Sequence, residues 1–178
     1  PGVSVRQSAG RFGLSDFTIR GLSGNRVLIE VDGVRIADAF SIGSFSNANR
    51  NFVDLDSVKV VEILRGSASS LYGSNAIGGV VSFLTKDPED YLHGSTLYSS
   101  LKAGYSDVDN SHTETLTSAI KSANFSAMMI LSKDAGHEQK NQGRDDSTQA
   151  ARTAANPQDT HTESLLTKLL WTFANDHK

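Results

Sequence analysis

The 178-residue chain has no cysteine. That absence excludes thiolate zinc sites, iron–sulfur clusters, disulfide scaffolds and cysteine nucleophiles. A basic excess is missing too: 17 Lys+Arg stand against 20 Asp+Glu, a formal net charge of −3. Nucleic-acid binders usually carry a basic face, so nucleic acid is not an expected partner. Aromatic residues are only 7% of the chain and apolar residues 38%. The apolar share is low for a well-cored domain, yet 21% charged residues is too modest for simple disorder. No stretch approaches the roughly 18 apolar residues of a transmembrane helix. A β-barrel survives that test, because its strands alternate and keep bulk hydropathy low.

The chain opens Pro1-Gly2-Val3-Ser4-Val5, with no initiator Met and no apolar leader. It closes Phe173-Ala174-Asn175-Asp176-His177-Lys178, just after an apolar alternating run. Both ends read as cuts through a longer protein, so the missing leader says nothing about export.

Two textures follow each other. Residues 1–92 are punctuated by glycine and read as mixed α/β. Val27, Ile29 and Val31 share one face of a strand, and Asp32-Gly33 supplies a two-residue hairpin turn. Residues 40–52 are polar, Asn-rich and loop-like. A second strand covers 57–64, a short helix 68–72 with Gly73 past its end, and a third strand 80–85. The paired Gly78-Gly79 implies close backbone packing. The apolar faces are too small for a large independent core.

Residues 93–178 are rich in Ser and Thr and alternate with period two. Four strands are expected, over about 94–105, 113–121, 124–133 and 163–175. A tight turn falls at Ser122-Ala123, and a long polar loop spans about 134–162. Strands of about ten residues with short turns at one end and long loops at the other suit an outer-membrane barrel, and a soluble antiparallel sheet is the rival. Four strands cannot close a barrel, whose smallest members have about 8.

Motifs for chemistry are absent. There is no Gly-x-Ser-x-Gly elbow, no His-Glu-x-x-His pair and no Gly-Lys-Ser/Thr phosphate loop. Asp107, Asp109, Asp145 and Asp146 lack the Asp-x-Asp-x-Asp-Gly order of a calcium loop. No catalytic residue, no metal site and no enzymatic activity is expected.

Two segments carry a resemblance. Residues 18–22 (TIRGL) with 25–35 (NRVLIEVDGVR), and then 61–81 (VEILRGSASSLYGSNAIGGVV), resemble the plug domain of TonB-dependent outer-membrane receptors. The extension 82–92 (SFLTKDPEDYL) is similar to the haem/haemoglobin branch of that family. The resemblance implies an α+β plug domain over 1–92, a small mixed sheet with short helices. It also implies that 93–178 are the first of the antiparallel transmembrane strands of a 22-stranded β-barrel, truncated here. The family's energy-coupling segment would lie upstream of Pro1.

The implied function is import of haem, taken from haemoglobin or a similar carrier, across the bacterial outer membrane. Implied partners are the TonB complex, the haem carrier and outer-membrane lipid; haem is cargo and no cofactor is permanently bound. Arg20 and Arg65 sit in the two plug motifs, where the resemblance implies pairing with carboxylates of the barrel wall, a task the guanidinium fork suits. Phe40, Phe45, Asn47, Asn49, Arg50 and Asn51 fall in the plug's apical loop. There an aromatic could stack on a porphyrin and Arg50 could meet a propionate. Residues 37–54 contain neither His nor Tyr, which places plug-side ligation of haem iron in doubt. His112, His137 and His161 fall in the expected outer loops and are the possible haem ligands. His93 and His177 have no assigned role, and Trp171 suits an aromatic girdle. Alternatives are a ferric-siderophore or other metal-chelate receptor of the same fold, and a soluble α/β ligand-binding enzyme fragment.

Overall fold

A computed structural model describes residues 2–7, 15–42, 46–48 and 53–173. The chain divides into two compact units, Pro1–Thr85 and Lys86–Lys178. The division falls before the Lys86-to-Leu92 segment, whereas the change of texture in the sequence suggests a boundary after Leu92. The physical reason is Leu92 itself, which is buried with Ala119, Met128 and Ile130 of the second unit.

The first unit opens with β1 (Val3–Gln7) antiparallel to β2 (Ser15–Ile19). Next come β3 (Val27–Val31) and β4 (Val34–Arg35), joined by Asp32 and Gly33 at φ 48° and 78°. Positive φ at both central residues is what a type I′ hairpin requires, so the expected turn is present. β5 (Phe40–Ile42) and β6 (Ser46–Ala48) form a second small hairpin. Residues 40–52 are thus not all loop. β7 (Val58–Arg65), helix α1 (Ser69–Tyr72) and β8 (Gly79–Thr85) complete the unit. The strands stand in the order β4-β3-β8-β7, with β3 parallel to β8 and the other pairs antiparallel. This is the small mixed sheet with short helices that the sequence implies.

The two central strands are buried on both faces. Val27 and Ile29 of β3 meet Val81 and Phe83 of β8, together with Ile19. On the other face Leu28 and Val80 pack with Ala68 and Ala76. Among the described residues of this unit the core is thus divided into two small clusters. β7 forms one edge, and its Val60, Val61, Ile63 and Leu64 are all exposed.

The second unit begins with α2 (Glu89–Leu92), entered through Pro88 and left through His93 at φ 45°. Four strands follow: β9 (Leu97–Ser106), β10 (Ser111–Ser122), β11 (Phe125–His137) and β12 (Asp159–Trp171). They pair antiparallel in chain order. The tight turn lies at Ala123-Asn124, one residue later than expected, because Ser122 pairs with Phe125 and Ala123 takes φ 45°. The long loop is shorter than the 134–162 expected. The β11–β12 ladder continues through polar residues to His137 opposite Asp159, so the loop is 138–158. Periodicity of apolar residues could not see that extension. β12 ends at Trp171, short of the expected 175.

Candidate functional site

The four-stranded sheet has inverted faces. One face carries Leu101, Leu116, Leu131 and Leu165 side by side in a single row across all four strands. Leu101 is 77% and Leu165 65% exposed. The same face holds exposed Leu97, Ile120, Leu169 and Trp171, with Trp171 packed on Phe125 at a ring separation of 5.8 Å. The opposite face is buried and mixed: Thr115, Thr117, Ser126 and Ser132 lie there beside Ala119, Met128 and Ile130, which pack on Leu92. There Thr115 and Ser132 share a hydroxyl–hydroxyl hydrogen bond of 3.2 Å, and Thr113 Oγ1 donates to Asp134 at 2.7 Å. Besides the small cluster around Leu92, the sheet thus leaves a continuous leucine row exposed.

The apolar face is bounded at both ends. Trp171 and Phe125 stand at the end with the tight turn. Beyond the leucine row the register places Glu114, Lys133 and Glu163 abreast. The next row holds Tyr105, His112, Ala135 and His161. Tyr105 and His112 stack at 5.0 Å between ring centroids. His137 Nδ1 lies 2.9 Å from Asp159, and His161 Nε2 lies 3.1 Å from Glu163. The three histidines expected in loops are therefore strand residues, His112 in β10, His137 closing β11 and His161 in β12. The register brings His112 and His161 to the face that carries the leucines.

The loop 138–158 is built around Arg152. Its guanidinium donates to the carbonyls of Asp146, Ala154 and Ala155. Lys140 Nζ donates to Asp107 O and Asn110 Oδ1, tying the loop base to the β9–β10 turn. The Gln158 N–H holds the Glu138 carboxyl below its ordinary value. The Ser147 N–H does the same for Asp145, and the Ser111 hydroxyl for Asp109. No group of three or more His, Asp or Glu among the described residues could hold a metal ion.

In the first unit the two arginine motifs meet. Arg20 and Gly21 form a tight turn at φ 51° and 83°, closed by hydrogen bonds between Ile19 and Leu22 in both directions. The Arg20 side chain reaches over Gly2, and its Nη1 comes 3.9 Å from where a Cβ on Gly66 would sit. Arg65 is the last, exposed residue of β7. Gly78 and Gly79 seal this junction. A Cβ on Gly78 would lie 2.8 Å from Leu22 Cβ, and one on Gly79 2.3 Å from Leu64 O. The close packing read from the paired glycines is present.

Of the expected ligand-contact residues, Phe40 is half exposed at the start of the β5–β6 hairpin, and Asn47 lies in β6. Phe45, Asn49, Arg50 and Asn51 lie outside the described residues, as does His177. The hairpin is held by residues the sequence did not single out. Asn25 brackets Ala39, accepting from its N–H at 2.8 Å and donating to its carbonyl at 2.9 Å. Asn75 Nδ2 donates to both carboxylate oxygens of Asp38 at 2.8 Å. Asn25 and Asn75 stand within the quoted motifs, but no local signal joins positions 38 and 75.

The first unit is thus a small mixed sheet sealed at Gly78-Gly79, and the second an antiparallel sheet with an exposed leucine row. Residues 1–80 match the family model of the TonB-dependent Receptor Plug Domain. Over those residues the chain is similar to the plug of TonB-dependent receptors. It is 36% identical to hemoglobin-haptoglobin-binding protein A of Haemophilus influenzae, over 99% of this chain and 18% of that protein. It is equally 36% identical to hemoglobin-binding protein A of the same organism, over 99% of this chain and 19% of that one. The chain thus spans under a fifth of the length of these relatives. In fold it is similar to the FrpB iron transporter of Neisseria meningitidis, with a TM-score of 0.73 at 22% identity, covering 98% of this chain and 26% of that one. It is also similar to the hemophore receptor HasR of Serratia marcescens, solved with its hemophore HasA and heme, with a TM-score of 0.72 at 20% identity over 97% and 25% of the two chains. These relatives are binding proteins, a transporter and a receptor.

Proposed function

We propose that this chain is the plug and the first wall strands of a bacterial outer-membrane receptor that imports haem, taken from haemoglobin or a similar carrier. The observation that carries the cargo is the similarity, along essentially the whole chain, to haemoglobin-binding proteins. The leucine row supports the membrane setting. Its strands of 10, 12, 13 and 13 residues meet the roughly 9–11 needed to cross a bilayer. From Leu165 to Trp171 the apolar face runs about 20 Å along β12, which at the usual strand tilt spans about 15 Å of the roughly 25 Å apolar band of outer-membrane barrels. Among the described residues no helix is long and apolar enough to cross a membrane, so strands would do it.

In this reading the plug blocks the lumen. Arg20 and Arg65 pair with wall carboxylates, and TonB supplies mechanical work through a segment outside this chain. Ligand on the hairpin side biases the plug between two states by differential affinity. Haem is cargo rather than resident cofactor. His112, His137 and His161 are the haem-ligand candidates, placed by the strand register beyond the charged row Glu114, Lys133 and Glu163. A ferric-chelate cargo is the second reading, favoured by the lack of His and Tyr over 37–54.

Titrating the full-length receptor in detergent with haem, while following the Soret band against a ferric-siderophore competitor, separates the two. A saturable shift that the siderophore leaves unchanged is the expected result. No shift, with tight siderophore binding instead, would move the cargo to the second reading.

A further inference from the structure

We propose that Asp38 and Asn75 form a latch that sets the position of the β5–β6 hairpin for its ligand, with Asn25 as its second anchor. The inference rests on the reading of that hairpin as the plug's ligand-facing element.

The geometry singles out these residues. The hairpin is short, with three paired positions, Phe40 with Ala48 through Ile42 with Ser46. A two-stranded ribbon this small is not stable alone in water. Its orientation must be fixed where it leaves the body, at residues 38–39. Both of these are held from elsewhere in the sequence. Asn25 reaches Ala39 across 14 positions and closes a two-bond ring that mimics a strand pair. Asn75 reaches Asp38 across 37 positions and meets both carboxylate oxygens. Arg35 Nη2 also approaches Asp38 Oδ1 at 3.3 Å, adding a cation beside the acceptor. Ser74 Oγ donates to Asn75 Oδ1 at 3.2 Å, orienting the amide so that its N–H₂ points to Asp38. The base of the hairpin is thereby tied to the turn that follows α1, inside the second plug motif. Hydrogen bonds to a carboxylate are the stronger kind, and this one is directional.

These are positioning residues. None need touch the ligand; they hold the element that carries Phe40. The test uses the full-length receptor in detergent. Hydrogen exchange over 36–48 is compared between wild type, Asn75→Ala and the exchange variant that combines Asp38→Asn with Asn75→Asp. The exchange variant puts the amide donor at 38 and the carboxylate at 75, so it restores the pair with its polarity reversed. Asn75→Ala is expected to speed exchange over 36–48 by about five-fold, with 58–65 and 79–85 unchanged. The exchange variant is expected to return the rate to within about two-fold of wild type. A general structural defect would raise exchange across the β7–β8 ladder and would not be reversed. Equal rates in wild type and Asn75→Ala, or no recovery in the exchange variant, would overturn the latch. Asn25→Ala supplies a second variant with the same expected direction.

Haem affinity measured in parallel should fall in Asn75→Ala and recover in the exchange variant. If it stays constant while the wild type binds haem, the positioning role is overturned. If the wild type itself takes no haem, the cargo reading fails, and the exchange rates still decide the latch.

Discussion

The carboxylate of Asp32 holds Thr85 twice, accepting from its backbone N–H at 2.8 Å and from its hydroxyl. Asp32 is the first residue of the β3–β4 turn and Thr85 the last residue of the first unit. The pair therefore ties the exit of the plug to the turn that reverses its central strand. Thr85 is buried, so its hydroxyl has little access to water as a substitute partner. Asp32→Ala should destabilise the plug by about 1–3 kcal/mol, the range for hydrogen bonds to a charged group. Asp32→Asn should cost less, because Asn tolerates the left-handed φ of 48° and keeps one acceptor. Hydrogen exchange of residues 79–85 in the full-length receptor measures both. Equal protection in wild type and Asp32→Ala would show the strap to be idle.

Gly79 offers a sharper case. Its φ of 149° disfavours any side chain, and a Cβ would press on the Leu64 carbonyl at 2.3 Å and on Ile19 at 2.9 Å. Both obstacles belong to the packed junction between β2, β7 and β8. Gly79→Ala should therefore cost more than about 2 kcal/mol, as overpacking with an incompatible backbone does. Gly33→Ala, with φ 78° but open space around it, should cost less because only the backbone objects. Thermal unfolding of the two purified full-length variants provides the comparison, and a Gly33 variant as damaged as the Gly79 one would contradict it.

How far the sequence reached can be seen at these same residues. Asp32-Gly33 and Gly78-Gly79 were legible because turn chemistry and close approach depend on the residue itself. The alternating strands of the second unit were legible too, since period two survives whichever face is apolar. Three things were not. The β5–β6 hairpin hid in a polar stretch, because its strands have three residues each and no apolar pattern. The extension of β11 to His137 hid for the same reason, its last residues being Lys, Asp, Ala, Gly and His. The Asp38–Asn75 contact is a product of tertiary placement, which neither residue's neighbours encode. The arginine motifs fall between: each was visible, but only the fold shows Arg20 lying over the glycine that follows Arg65.

The loop 138–158 should loosen in acid. Glu138 and Asp145 both ionise below their ordinary values, chiefly because they accept backbone N–H groups of Gln158 and Ser147. A carboxyl with a lowered folded pKa contributes order that is present above its unfolded value. That order is lost as pH falls through the folded value. The unfolded values are near 4.5 for Glu138 and 3.8 for Asp145. Loop order should hold from neutral pH down to that range and decline below it. A nitroxide attached at Gln149→Cys in a full-length receptor freed of other reactive thiols reports this as narrowing of its spectrum. Asp145→Asn should give the narrow spectrum already at neutral pH. A spectrum independent of pH, with Asp145→Asn unchanged, would show that these carboxylates do not order the loop.

The two faces of the β9–β12 sheet should respond oppositely to a new charge. Leu131 stands in the middle of the leucine row, between Leu116 and Leu165, and is 46% exposed. Ser164 sits on the other face, in register with Ser132. If lipid covers the leucines, Leu131→Lys must place an ammonium in hydrocarbon, at a cost of about 2–4 kcal/mol near the midplane. Ser164→Lys places it on the polar side and should cost little. A water-exposed leucine row would reverse the expectation, since Lys would then be better solvated than Leu. Folding of the full-length variants from urea into phospholipid vesicles distinguishes these outcomes, because the midpoint shifts with the cost of insertion. A Leu131→Lys receptor that inserts as well as wild type would remove the membrane assignment of this face, and with it the main physical support for the barrel.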